Sequence, residues 1–271
     1  MLQCWINGTP SAQVSSTDRG FQYGDGLFET CRVVRGQIRS LDLHLARLTR
    51  GCAQLAIPLP DLEVLRHELA MASRDSAVGV LKLIVTRGEG GRGYRPNPGA
   101  VPTRWIATYA APEYPSDWAE HGVEIRTCQT RLAIQPRLAG LKHLNRLEQV
   151  CARSEWAEAS PQEGLMLDMG GRIVCGTMSN VFAVVNQIWM TPRVDRCGVA
   201  GTLRAGLMHW MAAAGNPVRE VDLYPETLAT ADEVFLTNAV FGVWPVRCWD
   251  GNPFTVGAAV RQAQDYLKHL T

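Results

Sequence analysis

Lysines are the residues whose type and scarcity point most directly to chemistry in this chain. Of its 27 basic residues, only Lys82, Lys142 and Lys268 are lysines, and arginine supplies the other positive charges. An amine can act as a nucleophile or form a Schiff base, whereas a guanidinium stays protonated and does neither. Any amine chemistry in this protein therefore depends on one of three residues.

Sequence context separates the three lysines. Lys82 lies in the β-rich apolar run 79–86, which is typical of an edge or solvent-facing strand position. Lys268 lies in the last turn of the C-terminal helical stretch, where a cation complements the helix dipole. Lys142 follows a proline-containing loop and precedes a helical pattern. Of the three, Lys142 is the candidate for a reactive amine.

Four further patterns are suited to binding an anionic ligand. They are His44 and Arg47 on one helix face, Gly201 and Thr202 at a helix start, Thr237-Asn238-Ala239 after a strand, and Arg92 with Tyr94 in the glycine-rich loop 87–94. A helix start offers free backbone N–H groups to a phosphate, and an arginine binds a carboxylate through two parallel hydrogen bonds. Taken singly, each pattern also fits a solvated helix face, a simple helix cap or an unspecialised loop.

The elements that position these residues alternate between strand and helix patterns without repeats. We predict a mixed α+β fold, with helices over 62–72 and 145–159 and the start of another at Gly201-Thr202. The two-proline segment 111–117 suggests a linker. The predicted organisation is a smaller N-terminal α/β domain (1–112), a linker (113–119) and a larger C-terminal domain (120–271) that contains Lys142.

Composition argues against several classes of function. A net charge of +1 gives no reason to expect a nucleic acid or an anionic membrane as a partner. The histidines and the eight cysteines are scattered without metal-binding spacing, so no metal centre is expected and the cysteines are predicted to be free thiols. No membrane-spanning run or secretion signal is evident, and a cytoplasmic location is the expectation.

Six motifs in a fixed order carry a resemblance to a known family. They are Asp18-Arg-Gly-Phe-Gln-Tyr-Gly-Asp-Gly26, His44 with Arg47, Thr86-Arg-Gly with Arg92-Gly-Tyr94, Lys142-His with Asn145, Ser179-Asn180-Val-Phe182, and Gly198 with Gly201-Thr-Leu-Arg204. This set resembles the fold-type IV pyridoxal-phosphate enzymes, which include branched-chain and D-amino-acid aminotransferases as well as lyases. The resemblance covers nearly the whole chain. It implies the two-domain architecture of the D-amino-acid aminotransferase type, a homodimer, and pyridoxal 5′-phosphate held between the domains.

The resemblance also implies a role for each site residue. Lys142 would form the Schiff base with the cofactor and act as the catalytic residue, and Arg47 would bind the cofactor phosphate. The other implied cofactor-binding residues are Cys175, Ser179, Asn180, Gly201, Thr202, Leu203, Asn238 and Ala239. Phe28, Glu29, Arg92 and Tyr94 are the implied substrate-binding residues, although Glu29 also fits a solvated strand position.

Two stretches favour one branch of the family, and one position departs from its pattern. Residues 87–94 and 138–150 resemble the lyases, which release pyruvate from a small-molecule substrate. The first alternative to a lyase is a branched-chain or D-amino-acid aminotransferase of the same fold. The second alternative is a relative that binds the cofactor without catalysis. Relatives usually carry a glutamate beside the pyridine nitrogen where this chain has Cys175. A thiol pairs poorly with a pyridinium, so we expect a weaker electron sink, which suits elimination better than transamination.

Overall fold

The computed structural model describes residues 3–270, which form two compact units. The first unit extends to Glu113 and also includes Leu141–Asn145. The second unit consists of Tyr114–Gly140 and Arg146–Leu270. Within residues 3–270, no helix combines the length and the apolar character that crossing a membrane requires.

The first unit is a six-stranded antiparallel sheet with helices on one face. Its strands are β1 (Gln3–Ile6), β2 (Thr9–Pro10), β3 (Gly26–Val34), β4 (Gln37–Ile38), β5 (Val78–Thr86) and β6 (Thr103–Ala110), and its helices are α1 (Arg19–Tyr23), α2 (Leu41–Leu55) and α3 (Leu62–Ser73). The strand order is β2-β1-β6-β5-β3-β4. The predicted strand around Lys82 is therefore a central strand, β5. Of the two positions expected for Lys82, the edge position is wrong, whereas its side chain is half-buried and keeps some solvent contact.

Alternation along β3 gives this sheet two different faces. Leu27, Cys31 and Val33 are buried, and their side chains join a core with the apolar residues of α2 and α3. The intervening Phe28 and Thr30 are only half-buried. Because successive strand residues point to opposite faces, one face of the sheet is covered by helices and the other carries Phe28 and Lys82.

The segment Leu141–Asn145 pairs with the beginning of β3. The Phe28 amide donates to the Lys142 carbonyl at 2.9 Å, and the Leu144 amide donates to the Gly26 carbonyl at 3.0 Å. Leu141 is buried in the core of the first unit. The predicted division places Lys142 in the C-terminal domain, whereas by its contacts this segment belongs to the first unit.

The second unit contains a nine-stranded mixed sheet. Its strands are β7 (Val123–Thr127), β8 (Glu163–Leu167), β9 (Ile173–Gly176), β10 (Asn180–Val185), β11 (Ile188–Pro192), β12 (Arg219–Val221), β13 (Glu233–Asn238), β14 (Gly242–Trp249) and β15 (Asn252–Pro253). Its helices are α4 (Ser116–Glu120), α5 (Leu147–Arg153), α6 (Thr202–Ala213), α7 (Pro225–Ala229) and α8 (Ala258–Tyr266), followed by a 3₁₀ turn at Leu267–His269. The strand order is β12-β11-β10-β13-β14-β7-β8-β9, with β15 paired to β14.

Aromatic packing fixes the beginning of the second unit. Tyr114 and Trp118 contact Trp244 edge-on, with ring centroids 4.8 and 5.1 Å apart. Trp118 lies in α4, within the predicted 113–119 linker. Much of that segment is therefore packed against β14, and the linker boundaries stay a prediction.

One predicted helix is much shorter than expected. Residues 145–159 are predicted as one helix, but α5 covers only Leu147–Arg153. The side chain of Asn145 donates to the Gly24 carbonyl at 3.3 Å instead of entering the helix. Beyond the helix, Trp156 is buried and its indole N–H donates to the Pro161 carbonyl. These tertiary contacts override the helical pattern at both ends.

Candidate active site

The predicted site residues of the first unit gather around Phe28. The Lys142 Nζ atom lies 4.2 Å from the centroid of the Phe28 ring, and the Lys82 Nζ atom lies 5.4 Å from the same centroid. Both distances are suited to cation–π attraction. The structure therefore brings two of the three lysines to one aromatic ring, although sequence context gave Lys82 no role.

Two glycines at the beginning of β3, Gly24 just before it and Gly26 as its first residue, allow the Lys142 segment to approach this closely. A Cβ atom at Gly24, which has a φ of +66°, would lie 2.5 Å from the Asn145 side-chain oxygen. A Cβ atom at Gly26 would lie 2.8 Å from the Leu144 side chain and 2.7 Å from the Val85 carbonyl oxygen. At Gly26 the contact with the Val85 carbonyl excludes a larger residue unless the backbone moves, and at Gly24 the positive φ disfavours any other residue. The Gly-Asp-Gly motif thus positions Lys142.

A buried ion cluster lies on the opposite, helix-covered face of β3. The carboxylate of Glu29 accepts hydrogen bonds from Arg47 Nε at 2.8 Å, from Arg47 Nη2, and from the ring Nδ1 of His44 at 2.5 Å. All three residues are buried, and Glu29 is only 2% exposed. The solvated-face alternatives for Glu29 and for the His44-Arg47 pair are therefore wrong.

The Glu29 carboxylate is ionised because its partners outweigh the cost of burial. Burial raises its pKa, but the charge of Arg47 and the hydrogen bonds from His44 and Arg47 lower the pKa to about 2. Glu29 in turn compensates the charge of Arg47. Phosphate binding by Arg47 and substrate binding by Glu29 stay predictions.

Arg92 and Tyr94 lie on the exposed part of the glycine-rich loop. Tyr94 is 86% exposed, and every residue from 91 to 99 is classed as exposed. Substrate binding by this pair stays a prediction. The side chain of Arg19 donates hydrogen bonds to the backbone carbonyls of this loop, a contact that no local sequence pattern indicates.

Three segments of the second unit converge on one end of its sheet: the turn after β9, the start of α6 and the end of β13. The Asn180 side chain donates to the Val199 carbonyl at 2.9 Å, just before Gly201. The Asn238 side chain donates to the Met178 carbonyl at 2.5 Å and accepts from the Val240 amide at 2.7 Å. The structure thus brings the predicted cofactor-binding residues Ser179, Asn180, Gly201, Thr202, Leu203, Asn238 and Ala239 into neighbouring segments.

The start of α6 has the donors that a phosphate needs. Its N-cap residue, Gly201, provides no side-chain cap, and a Cβ atom there would lie 2.0 Å from the Asn180 side-chain oxygen. Thr237 pairs directly with Asn180, is buried, and has a hydroxyl with no hydrogen-bond partner. A buried hydroxyl without a partner is costly, and a helix N-terminus favours anions. These groups fit the phosphate of the implied cofactor.

Glu163 is a buried carboxylate that organises the turn between β9 and β10. It is fully buried and accepts five hydrogen bonds. The donors are the amides of Gly164, Thr177 and Met178 and the hydroxyls of Thr177 and Ser179, at 2.5 to 3.2 Å. No sequence motif singled out this residue. Its only signal is a carboxylate at the start of an otherwise apolar strand.

Cys175 lies in β9 and is buried in one apolar cluster with Cys128 and Cys197. Burial, together with neighbouring Cys197 and Glu163, raises the pKa of its thiol to about 12, and the positive charge of Arg146 offsets this only in part. The thiol is therefore neutral at physiological pH. The uncharged thiol lies in the field of the half-buried Arg146 guanidinium.

The fold and the two groups of site residues define a class of protein. Residues 26–249 match the family of class IV amino-transferases, and the chain belongs to that family. The resemblance to fold-type IV enzymes and the predicted α+β architecture are thereby confirmed.

Particular relatives are similar over nearly the whole chain. A solved structure of 4-amino-4-deoxychorismate lyase from Pseudomonas aeruginosa is 50% identical, covers 98% of each chain and has a TM-score of 0.95. An aminodeoxychorismate lyase from Vibrio harveyi is 37% identical over 243 residues, which is 89% of each chain. A D-alanine aminotransferase from Bacillus licheniformis is 30% identical over 249 residues, covering 90% of this chain and 86% of that protein.

The buried Glu29 cluster generates a stability prediction. Replacing Glu29 with glutamine removes the buried negative charge that Arg47 and His44 contact, so the free energy of unfolding at pH 7 should fall by about 3 kcal/mol. Because the folded pKa of about 2 is below the ordinary value of 4.5, the Glu29 contribution is complete above pH 4.5. It should then decline by about 1.4 kcal/mol per pH unit as the pH falls toward 2.

Urea unfolding of wild type and Glu29→Gln at pH 7 and at pH 3.5 measures this contribution. Asp42→Asn is the control, because Asp42 pairs with Arg66 on the exposed surface of the same unit, and its loss should cost less than about 1 kcal/mol. A difference between wild type and Glu29→Gln that did not change with pH would contradict the assignment.

Glu163 generates a second prediction. A glutamine there replaces one acceptor oxygen with a donor, which leaves at least two of the five donors unpaired. The free energy of unfolding should fall by about 3 kcal/mol, and the affinity for pyridoxal phosphate should fall with it because the Ser179 turn loosens. Unfolding in urea and titration of apo-protein with cofactor measure the two effects.

Glu155→Gln is the matched control for Glu163. Glu155 also accepts from two backbone amides, those of Gln129 and Thr130, but it is only half-buried. Its loss should cost less than about 1 kcal/mol and leave cofactor affinity unchanged. Equal losses in the two variants would show that the buried network around Glu163 has no special role.

Proposed function

We propose that this protein is a pyridoxal 5′-phosphate-dependent lyase. It converts 4-amino-4-deoxychorismate to 4-aminobenzoate and pyruvate, a step of folate biosynthesis. The observation that carries the proposal is the full-length similarity to the Pseudomonas aeruginosa lyase, at 50% identity and a TM-score of 0.95. The Vibrio harveyi lyase supports the same substrate.

The residues of the chain suit this cofactor and this reaction. When bound, the cofactor supplies an electron sink for the substrate's amino-bearing carbon. Lys142 would be the amine that holds it covalently and the base that takes the proton from ring carbon 4 of the substrate. Thr237 and the amides at the start of α6 bind its phosphate, with Arg47 as the proposed counter-charge. Arg92 and Tyr94 bind a carboxylate of the substrate.

The neutral thiol at Cys175 favours the lyase over the aminotransferase of the same fold. We place Cys175 at the cofactor's pyridine nitrogen, where a thiol with a pKa of about 12 offers no negative charge to a pyridinium. Transamination needs a strongly stabilised carbanion, whereas loss of pyruvate is driven by formation of an aromatic ring. The alternative to be tested is an aminotransferase, because a D-alanine aminotransferase is 30% identical to this chain.

The remaining expectations concern assembly and location. We propose a homodimer in the cytoplasm, with no nucleic acid or membrane partner, on the basis of the family resemblance and the near-neutral charge of the chain. A non-catalytic relative would also bind the cofactor. The retention of Lys142 with the phosphate-binding start of α6 argues for a working enzyme.

Pyruvate release from 4-amino-4-deoxychorismate tests the function directly. The purified protein, saturated with pyridoxal phosphate, is coupled to lactate dehydrogenase, and NADH consumption is followed. Pyruvate and 4-aminobenzoate should form in equal amounts. Formation of neither product would refute the lyase, and transfer of the amino group to a keto acid would identify an aminotransferase.

Lysine replacement tests which amine reacts. Lys142→Ala should lower pyruvate release by about 10⁴-fold and should abolish the visible absorbance band of the lysine-linked cofactor. Lys82→Ala is the matched control, because its amine approaches the same Phe28 ring, and it should keep the band. Lys268 is exposed and paired with Asp265, so Lys268→Ala should keep both the absorbance band and the activity. A band that persisted in Lys142→Ala would refute the assignment.

Cys175 replacement tests the reason for preferring elimination. Cys175→Glu supplies a negative charge beside the pyridine nitrogen and should raise the half-reaction of transamination with alanine by about tenfold, without raising pyruvate release. Cys175→Ala stays neutral and should keep both rates within about threefold of wild type. Rapid transamination by the wild-type protein would overturn this explanation. ¹⁵N NMR of labelled cofactor reports the protonation of the ring nitrogen independently of rate.

A further inference from the structure

The tip of the glycine-rich loop, residues 91–95, is exposed and has little packing of its own. Cβ atoms built at Gly91 or Gly93 would meet nothing within 4 Å. Tyr94 is 86% exposed, and Arg92 and Arg95 are exposed. A glycine-rich segment without packing loses much conformational entropy when it is held in one conformation, so this tip needs an anchor.

The buried arginine Arg19 supplies that anchor. Its Nη1 donates to the Gly93 carbonyl and its Nη2 to the Tyr94 carbonyl, both at 3.0 Å. Its Nε donates to Asp25 at 2.8 Å. Arg19 is only 3% exposed. The planar guanidinium therefore grips two consecutive carbonyls of an exposed loop while a carboxylate fixes its own orientation.

The last residue of α1 provides a second hold on the tip. Tyr23 lies four residues after Arg19, hence on the same helix face. Its hydroxyl accepts from the Gly93 amide at 3.1 Å, and its ring meets the Tyr94 ring edge-on at 5.6 Å. The Arg19 stem occupies the space beside Gly90, where a Cβ atom would lie 2.7 Å from Arg19 Cδ.

A neighbouring arginine shares the carboxylate but does not touch the tip. Arg87 also binds Asp25, through Nε at 2.7 Å and Nη2 at 3.0 Å. Its other bonds go to the carbonyls of Leu55 and Ala56 at the end of α2. Arg19 and Arg87 are thus two buried arginines that bind the same carboxylate. Arg19 also binds the carbonyls of the loop tip, whereas Arg87 binds those at the end of α2.

We propose that Arg19 is a positioning residue for substrate recognition. It clamps the 91–95 tip so that Arg92 and Tyr94 meet a carboxylate of the substrate already in their binding arrangement. This role rests on the proposed function, since the carboxylate belongs to the proposed substrate. It gives a purpose to the Asp18–Gly26 motif beyond the placement of Lys142: Arg19 and Tyr23 hold the recognition loop, and Gly24 and Gly26 admit the lysine segment.

The test compares Arg19→Met with Arg87→Met in the cofactor-bound protein. In both variants Asp25 keeps one arginine partner, so neither leaves a buried carboxylate unpaired. Arg19→Met should speed trypsin cleavage after Arg92 by about tenfold, because a released tip fits a protease better than a clamped one. Mass spectrometry of that single cleavage gives a readout independent of activity.

Steady-state kinetics give the second readout. Arg19→Met should raise KM for 4-amino-4-deoxychorismate by about tenfold and leave kcat within about threefold, because carboxylate recognition is the same in the bound and reacting substrate. Arg87→Met should leave both the cleavage rate and KM near wild type. Arg19→Lys, whose single amine cannot reach both carbonyls and Asp25, should fall between wild type and Arg19→Met.

Three outcomes would overturn the proposal in distinguishable ways. Equal trypsin rates in the two methionine variants would show that Arg19 does not hold the tip. If Arg19→Met were cleaved faster but still released pyruvate with an unchanged KM, Arg19 would hold the tip, but the tip would not recognise the substrate. Absence of pyruvate release in the wild-type protein would refute the proposed function itself and the carboxylate role with it.

Discussion

The backbone pairing between Lys142 and the start of β3 is the constraint on which the candidate site depends. Residues 26, 27 and 28 face 144, 143 and 142 in an antiparallel arrangement. Lys142 therefore stands directly opposite Phe28, and its amine reaches the face of that ring. A slip of one residue would send the amine to the opposite face of the sheet. Backbone register thus positions the amine, and the glycines at 24 and 26 make the register possible.

The two faces of β3 divide the structural and chemical tasks of the first unit. The covered face carries Glu29, which fixes the strand to α2 through Arg47 and His44. The open face carries Phe28 beside the two lysines. Because successive residues of one strand serve the two faces, the ion cluster that stabilises β3 also fixes the platform for the amine. Packing and chemistry therefore depend on the same strand.

Sequence patterns predicted the local parts of this arrangement and missed the long-range ones. The helix start at Gly201-Thr202, the strand around Lys82 and the candidacy of Lys142 follow from spacing over a few residues. Glu163 binds a turn 14 residues away, and Arg19 binds carbonyls 74 and 75 residues away. No periodicity encodes such partners. The strand β14 was not predicted, and α5 is shorter than its pattern because Asn145 and Trp156 bind elsewhere.

The buried arginines occupy positions that a lysine could not fill, for a physical reason. Arg19, Arg47 and Arg87 are each buried, and each uses several fixed donors on a carboxylate or on backbone carbonyls. An ammonium group is a single point of charge that deprotonates when it is desolvated, so it cannot replace a guanidinium in such sites. A cation that must stay charged while buried is therefore arginine here. The two amines that lie against the Phe28 ring, Lys82 and Lys142, are only half-buried, so neither position makes the demand that a fully buried cation would make.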